Sequence, residues 1–296
     1  MKTSIIFWLA LSFQLVSFLT KAQSYSITKA DSLFKCNNFE LAATDYERIY
    51  FFSKNTDEKI KSLIARADCF KNLKLHYEAY NSLVRVLNFD LDDSLKCAVN
   101  YQLALNLYLS NYFTDAEKFC LKNYSLPINS VEYKNSILIH GFILNELNKY
   151  NLAAEKFQEY NNLSTASAEQ KDSLNNMVAN YFVSKNQPKL KSLKKAIRLS
   201  KFLPGAGLFY VGEPGKAFAN IGLQLFAAGY IGVNVYYTNY ITAATVGVFL
   251  IKSFYTGGVN QLNDIVPSKN YVKSRKYNDS FNAQYLLKLN KYGIFN

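Results

Sequence analysis

Few residues that carry out covalent or metal chemistry occur in this chain, and none of them forms a familiar catalytic pattern. The 296 residues include only two histidines, His76 and His140, and four cysteines. No Gly-x-Ser-x-Gly, His-Glu-x-x-His or Cys-x-x-Cys motif is present, so the nucleophile, zinc and thiol arrangements that depend on these spacings are missing. The sequence therefore predicts a protein that is not an enzyme and that holds neither a metal ion nor a cofactor.

A string rich in Gly and Pro, residues 203–217, is the best candidate for a phosphate-binding loop. A nucleotide P-loop requires Gly, four residues, then Gly-Lys followed by Ser or Thr, so that backbone amides hold the phosphates and the hydroxyl holds magnesium. Here Glu213 follows Gly212, and Ala217 follows Lys216. Both requirements fail, and the Gly and Pro residues predict instead a tight, non-helical backbone.

Positive charge is concentrated in the last third of the chain. Residues 23–188 carry 18 basic and 19 acidic side chains, whereas residues 189–296 carry 14 basic and 3 acidic ones. Apolar residues at helical spacing within 189–202 predict a basic amphipathic helix, which suits an anionic membrane surface. The alternative is a solvated last helix of the preceding domain. The residues expected to contact lipid headgroups are Lys191, Lys194, Lys195 and Arg198.

The N-terminus has the composition of a secretory signal. Lys2 precedes an apolar run over residues 5–19, and the small residue Ala22 follows, which predicts a signal peptide over residues 1–22. An uncleaved N-terminal anchor is the alternative. Export argues against a nucleic-acid partner. In an exported protein, a Cys36–Cys69 disulfide and free thiols both fit the sequence.

Small residues recur every 37 positions in two series that are offset by 12. The first series is Ala30, Ala67, Ala104 and Gly141, and the second is Ala42, Ala79, Ala116 and Ala153. A large apolar residue follows each member of the first series by three, at Leu33, Phe70, Leu107 and Leu144. Small residues at matching positions allow two antiparallel helices to approach closely. Each period therefore predicts helix, turn and helix, with the turn in polar, Asn-rich residues.

This pattern resembles the tetratricopeptide-repeat family over residues 24–163, with a degenerate fifth unit near Val178. The period is 37 rather than 34 residues, and no Pro closes each repeat. The resemblance implies a helical solenoid whose concave groove is lined by the first helix of each pair, suited to a peptide or helix of a partner protein. Packing within the chain is the alternative for these side chains. The groove positions are Tyr101, Leu105, Tyr108, Leu138 and Phe142.

Residues 217–251 contain no Asp, Glu, Lys or Arg, and this run is too long for a single ordinary membrane span. It predicts a hairpin of two membrane helices, near 217–236 and 241–260, that turns at 237–240. Small residues at Ala228 and Gly232, and at Ala243 and Gly247, would bring the helices together. The polar residues Asn220, Gln224 and Asn234 would hydrogen-bond between the helices or line an oligomer interface. Lys252 would lie in the second helix, where it must snorkel or face a partner.

The string before the hairpin resembles a short bacterial two-helix membrane domain of unknown function, which often follows tetratricopeptide repeats. The resemblance rests on the pattern Pro-Gly-x-Gly-x-x-Tyr-x-Gly, here Pro204, Gly205, Gly207, Tyr210 and Gly212. Leu208 stands where Gln is commoner. The resemblance covers about residues 196–265 and implies a membrane location without a known activity.

The predicted fold class is all-α: a helix-turn-helix repeat solenoid followed by a transmembrane helical hairpin. The predicted domains are a signal peptide (1–22), the repeat domain (23–188), the basic amphipathic segment (189–202), the Gly/Pro motif with its hairpin (203–265) and a basic tail (266–296). We expect a scaffold in the bacterial inner membrane, with the repeats in the periplasm. The alternative is an accessory subunit of a transport or protein-insertion complex whose hairpin forms homo-oligomers.

Overall fold

The computed structural model describes residues 26–125 and 131–294. Across these two ranges the chain forms helices and no β-strand, which confirms the all-α class. The predicted signal peptide, residues 1–22, lies outside the described residues. The contacts divide the chain into two compact units, with the boundary between Ile143 and Leu144.

The first unit consists of sequential helices, each of which packs on the next. They are α1 (Ile27–Lys35), α2 (Phe39–Phe52), α3 (Thr56–Asn72), α4 (His76–Leu83) with a 3₁₀ turn at Val84–Asn88, α5 (Asp93–Leu109), α6 (Phe113–Asn123) and most of α7 (Val131–Glu146). The alanines of both small-residue series in this unit are fully buried. Burial of these small side chains lets neighbouring helix axes approach closely.

The same turn ends α1, α3, α5 and α7. One residue adopts a left-handed backbone, and the next amide donates to a carbonyl five residues earlier, which is the Schellman arrangement that satisfies the last carbonyls of a helix. The accepting carbonyls belong to Leu33, Phe70, Leu107 and Leu144. The left-handed residues are Asn37, Lys74, Asn111 and Asn148. Three of the four are Asn, the residue after Gly that tolerates this conformation best.

The second unit contains two long antiparallel helices and the helices that pack beside them. They are the end of α7, α8 (Tyr150–Leu163), α9 (Ala168–Phe182), α10 (Leu193–Phe202), α11 (Ala206–Tyr210), α12 (Pro214–Tyr236) and α13 (Val248–Lys291). A short helix at Tyr240–Thr242 and a π-helical turn at Ala243–Gly247 lead into α13. The residues predicted as a separate basic tail therefore belong to one helix that continues from the apolar segment, with Pro267 in its interior.

The C-terminal half of α13 packs against α8 and α9 through aromatic side chains. Phe281 and Tyr285 are fully buried. Their ring centroids lie 4.9 and 4.8 Å from that of Phe157, and Phe281 lies 4.5 Å from Phe182. The Tyr285 hydroxyl donates to Asn161 Oδ1 at 2.6 Å, and burial raises the pKa of Tyr285 well above its usual value. Rings at these separations add attraction beyond the area that they bury.

Polar contacts fix the same half of α13 against the end of α7. Asn278 and Asn282 donate to the two carboxylate oxygens of Glu146, at 3.2 and 3.4 Å. Asn145 donates to Asn282 Oδ1 at 3.0 Å. Burial raises the pKa of Glu146, and the hydrogen bond from Asn278 opposes this. These paired amides specify the register of α13, because a one-residue shift leaves them without partners.

Removal of the Phe281 ring should destabilise the second unit. We expect Phe281→Ala to lower the free energy of unfolding by about 3–5 kcal/mol, because it leaves a cavity among Phe157, Phe182 and Tyr285. The matched control is Leu287→Ala on the same helix, whose side chain is 73% exposed and should cost under about 0.5 kcal/mol. Urea titration of the purified protein, followed by circular dichroism, measures both. Equal effects would contradict the docking of α13.

Candidate membrane and partner-binding surfaces

The Gly/Pro motif forms a compact corner that joins α10, α11, α12 and α13. Gly205 and Gly212 adopt left-handed backbones, with φ of 83° and 77°, which L residues with side chains rarely adopt. Between them, residues 206–210 form the short helix α11. The prediction of a non-helical backbone is therefore wrong for residues 206–210, whereas Gly205 and Gly212 do have a non-helical backbone. Pro204 is half-buried ahead of this turn.

Gly207 is the point of closest approach in this corner. A Cβ atom added there would lie 2.3 Å from the Ala196 carbonyl oxygen, 2.4 Å from Ser200 Oγ and 2.8 Å from Leu262 Cδ1. The Gly207 amide donates to Ser200 Oγ at 3.1 Å. Only a residue without a side chain allows α11 to contact α10 and α13 at once. The surrounding core is Ala196, Leu208, Val211, Ala217, Leu262 and Val266.

Tyr210 connects this corner to two of the predicted headgroup lysines. The ammonium groups of Lys191 and Lys195 lie 4.6 and 5.2 Å from the centre of its ring, within the range of a cation–π interaction. The Ser192 amide donates to the Tyr210 hydroxyl at 3.3 Å. Lys191 and Lys195 are therefore already engaged by Tyr210, which sequence reasoning did not anticipate.

The outer face of α10 carries the remaining positive charge. Lys194, Arg198 and Lys201 line an open depression of 600 Å³ together with Leu193 and Ile197. The opposite face buries the small residues Ala196 and Ser200. Lys201 belongs to the predicted basic segment but not to the expected headgroup residues, and its spacing of seven from Lys194 places both on one helical face. The predicted amphipathic helix is thus present at Leu193–Phe202, while residues 189–192 precede it.

Contacts between Lys269, the motif and Glu213 fix the start of α12. Lys269 Nζ donates to the carbonyl oxygens of Val211 and Gly212 at 3.2 and 3.0 Å. It also pairs with Glu213 Oε1 at 2.6 Å. This hydrogen bond lowers the pKa of the Glu213 carboxyl. These charged groups lie at the N-terminal end of the apolar helix α12.

Helix α12 is long and apolar enough to cross a membrane, and it is the one such helix among the described residues. Only 11% of its most apolar 18-residue stretch is buried inside the structure. Large side chains face outward along it, including Phe218, Leu225 and Phe226 at 63–68% exposure. The core helix of a soluble protein is largely buried, so the exposure of α12 favours an apolar environment around it.

Helix α12 runs antiparallel to the π-helical turn and the first half of α13. Gly258 packs against Asn220, and Gly247 packs against Ile231. Asn220 and Gln224 donate to the carbonyl oxygens of Phe254 and Ile251 at 3.1 and 3.4 Å. The predicted hydrogen bonds between the two segments are therefore present for these two residues, whereas Asn234 bonds to Tyr230 of its own helix.

The small residues that bring these helices together differ in part from the expected ones. Ala243 and Gly247 face α12 as predicted. Ala228 is exposed, and nothing lies within 4 Å of a Cβ added at Gly232, so their expected role is wrong. The α12 side of the contact consists of Ala217, Asn220, Gln224, Ala227 and Ile231. Successive positions in this set are three or four residues apart, as expected for one face of a packed helix.

The predicted partner-binding groove of the first unit is only partly accessible. Tyr101, Leu105 and Tyr108 on α5 are half-buried, and burial raises the pKa of Tyr101. Leu138 and Phe142 on α7 are each 6% exposed, so these two are corrected from groove residues to core residues. The Tyr108 ring lies 6.5 Å from Phe142 and 5.7 Å from Phe113. Packing within the unit accounts for these contacts.

A different surface of the first unit is open. A cleft of 590 Å³ between α2, the end of α3 and the following turn is lined mostly by apolar side chains, with charged groups at its edge. Phe51 and Phe52 are 66% and 70% exposed, and Leu75 is 48% exposed. The complete lining is Glu40, Ala43, Thr44, Glu47, Arg48, Phe51, Phe52, Arg66, Phe70, Leu73 and Leu75.

An ion-pair network stabilises one wall of this cleft. Glu47 forms an ion pair with Arg66, whose Nε lies 3.0 Å from Glu47 Oε2, and it accepts a hydrogen bond from Arg85 Nη1 at 2.9 Å. Arg66 also donates to Ser82 Oγ at 2.6 Å, and the Arg85 guanidinium lies 4.2 Å from the Tyr50 ring centre. Burial lowers the pKa of Arg66, and the Glu47 carboxylate opposes this. These contacts hold α2, α3 and α4 together, and the sequence pattern gave no sign of them.

The residues with reactive side chains are used in packing. Cys36, Cys69, Cys97 and Cys120 are free thiols, and only Cys36 is exposed. Burial raises the pKa of the Cys69 thiol to about 11. His140 Nδ1 lies 2.7 Å from the Tyr124 hydroxyl, and His140 Nε2 lies 3.8 Å from Glu117. Within residues 26–125 and 131–294, no three His, Cys, Asp or Glu side chains are grouped so that they could hold a metal ion.

No protein-family model, curated protein or solved structure matches the chain. The resemblance to tetratricopeptide repeats and to the bacterial two-helix domain stays a prediction from the residues quoted above.

The motif corner makes Gly207 sensitive to a single methyl group. We expect Gly207→Ala to lower the free energy of unfolding by about 1–3 kcal/mol, because the added carbon overlaps the Ala196 carbonyl and Ser200. Gly222→Ala is the matched control, since nothing lies within 4 Å of a Cβ at that position and Ala favours helix. Thermal unfolding in detergent compares the two. A loss of stability in both variants, or in neither, would contradict the close approach at Gly207.

Proposed function

We propose that the chain is an exported, membrane-anchored helical-repeat adaptor. In this proposal, α12 and the first half of α13 form a transmembrane hairpin in the bacterial inner membrane. The first unit and the remaining helices of the second unit lie on the periplasmic side, where the first unit binds a segment of a partner protein. The tetratricopeptide-type repeat with its 37-residue period belongs to the same proposal, supported by the four identical turns and the buried alanines.

The observation that carries the membrane assignment is the exposed apolar surface of α12. Its 23 residues correspond to about 34 Å of helix, enough to cross a hydrocarbon core of about 30 Å. The turn beyond α12 presents Tyr236, Tyr237 and Tyr240, which are 62–81% exposed and suit the interfacial aromatic belt. Lys216, Glu213 and Lys269 lie at the other end, where headgroups and water are accessible.

The basic face of α10 supports contact with anionic headgroups. Lys194, Arg198 and Lys201 face outward, and Phe202, at 85% exposure, follows directly. A positive cluster beside an exposed aromatic ring is typical of a segment that lies on a membrane surface. Lys191 and Lys195 position the Tyr210 corner instead. A periplasmic position for this cluster runs against the usual cytoplasmic enrichment of Lys and Arg, and headgroup binding gives the charges a use on that side.

The open cleft beside Phe51 and Phe52 replaces the predicted groove as the partner-binding surface. It offers exposed apolar side chains within a rigid wall, whereas Leu138 and Phe142 are covered. The partner chemistry that fits is a peptide or helix with apolar side chains. Peptide segments of this kind bind through a few buried anchors rather than through the whole contact area.

Alkaline extraction and protease treatment of spheroplasts test the anchor. We expect the protein to resist extraction from membranes, and its helical units to be digested by protease added outside. Leu225→Asp, near the middle of α12, should shift the protein toward the soluble fraction, because a carboxylate at that depth costs about 2.5–3.5 kcal/mol. Leu287→Asp is the matched control at similar exposure and should have no effect. Release of the wild-type protein by alkali would contradict the membrane assignment.

Site-specific photocrosslinking tests the adaptor function. A photoreactive residue in place of Phe52 should form a defined protein adduct in cells, because the side chain is exposed in the cleft. The same residue in place of Leu121, which is 52% exposed and outside the cleft, should not. Phe51→Asp together with Leu75→Asp should reduce the Phe52 adduct at least about tenfold, since each removes an apolar anchor. An undiminished adduct would contradict binding in the cleft.

A further inference from the structure

Lys252 is the one basic residue between Lys216 and Lys269, and it lies near the middle of the second helix of the proposed hairpin. Its neighbour Ile251 accepts a hydrogen bond from Gln224, which is close to the midpoint of α12 (Pro214–Tyr236). Gly258–Asn220 and Gly247–Ile231 contacts on either side fix the same antiparallel register. Lys252 is therefore at the level of the centre of α12, far from both ends of the span.

The side chain of Lys252 is exposed on the outer surface of the helix pair. Among the described residues, no carboxylate pairs with its ammonium group. If the hydrocarbon core is about 30 Å thick, its centre is about 15 Å from either interface, which is farther than the four-carbon stem of a lysine extends. A lysine at this depth must therefore find a partner in the membrane or carry a large energetic penalty.

The face of α13 from Lys252 to Asn260 is more polar than the rest of the helix pair. Lys252, Thr256 and Asn260 are four apart on α13, so they share one side of the helix, and all three are exposed. Val248 and Phe249, four and three residues before Lys252, are 56% and 65% exposed, so the polar stripe begins at Lys252 and runs toward Asn260. Elsewhere the outer surface carries Phe218, Leu225 and Phe226. The apolar side can contact lipid, whereas the polar stripe can form hydrogen bonds with another transmembrane helix.

A second copy of the chain has no acidic group to offer at that depth. The sequence contains no Asp or Glu from residue 214 to residue 263, and a copy inserted with the same topology would place another Lys252 at the same level. Two ammonium groups at close range repel. Charge complementarity therefore selects a different membrane protein over self-association through this face.

We infer that the Lys252 stripe of α13 binds a transmembrane helix of another protein, which carries an Asp or Glu side chain near the bilayer midplane. The contact is an intramembrane ion pair, Lys252 Nζ with a carboxylate, flanked by Thr256 and Asn260. This inference rests on the proposed membrane hairpin. It gives the adaptor a second attachment, within the bilayer, in addition to the cleft of the first unit.

Model transmembrane helices test this directly in vesicles of neutral phosphatidylcholine. The full-length protein, donor-labelled, is reconstituted with acceptor-labelled poly-leucine helices that carry Glu, Gln or Leu at the centre, and energy transfer reports association. We expect the Glu helix to associate about 5- to 30-fold more strongly than the Gln and Leu helices. Lys252→Met should abolish this preference. Lys216→Met, which removes the lysine at the end of the hairpin, should leave it unchanged.

Three results would overturn the inference. They are equal association of all three helices, a Glu preference that persists in Lys252→Met, and energy transfer between differently labelled copies of the chain that depends on Lys252. Alkaline extraction of the same vesicles separates the two levels of the proposal. A protein that alkali removes would refute the hairpin and the inference together, whereas an integral protein without Glu preference would refute the inference alone.

Discussion

The packing of α13 is the interaction on which the second unit depends. Its first half contacts α12, and its second half contacts α8 and α9, so one continuous helix joins the apolar segment to the aromatic core of the unit. The two halves use different chemistry. Close approach at Gly247 and Gly258 serves the apolar half, while buried aromatic rings and paired amides serve the other. No loop separates the apolar half from Phe281 and Tyr285, although Pro267 lies in the helix between them.

The helix pairs of the first unit could be predicted because their determinants are local. A small residue, a large apolar residue three later and an Asn-containing turn occur together in the sequence, and the turn geometry at Asn37 and Asn111 needs only those neighbours. The span of α12 was predicted for the same reason, since a long run without charge is visible without knowledge of the fold. Its observed end at Tyr236 coincides with the predicted one.

What could not be predicted depends on contacts between distant segments. In residues 266–296, the spacing of Phe281, Tyr285 and Leu289 predicts one apolar helical face that docks on the membrane surface or on the repeats, and all three side chains are buried. Nothing local indicates, however, that Phe281 meets Phe157 across more than a hundred residues. Leu138 and Phe142 occupy positions that the repeat pattern assigns to a groove, but burial of those positions depends on what packs over them. The ion pairs of Glu47 could not be predicted either, because Arg66 and Arg85 approach Glu47 only after α3 and α4 have folded against α2.

The polar residues of the apolar helix pair differ in whether their hydrogen-bonding groups find a partner within the chain. Asn220 and Gln224 are turned toward α13, where backbone carbonyls accept their protons, so their polarity is satisfied within the chain. Lys252 faces outward, and a single hydrogen bond to a carbonyl would not neutralise an ammonium group. Amides therefore set the register of this helix pair, whereas the inference above assigns the charge to a partner. A helix that served only as a membrane anchor would keep amides such as Asn220 and Gln224. It would be more stable in lipid without a charged residue such as Lys252.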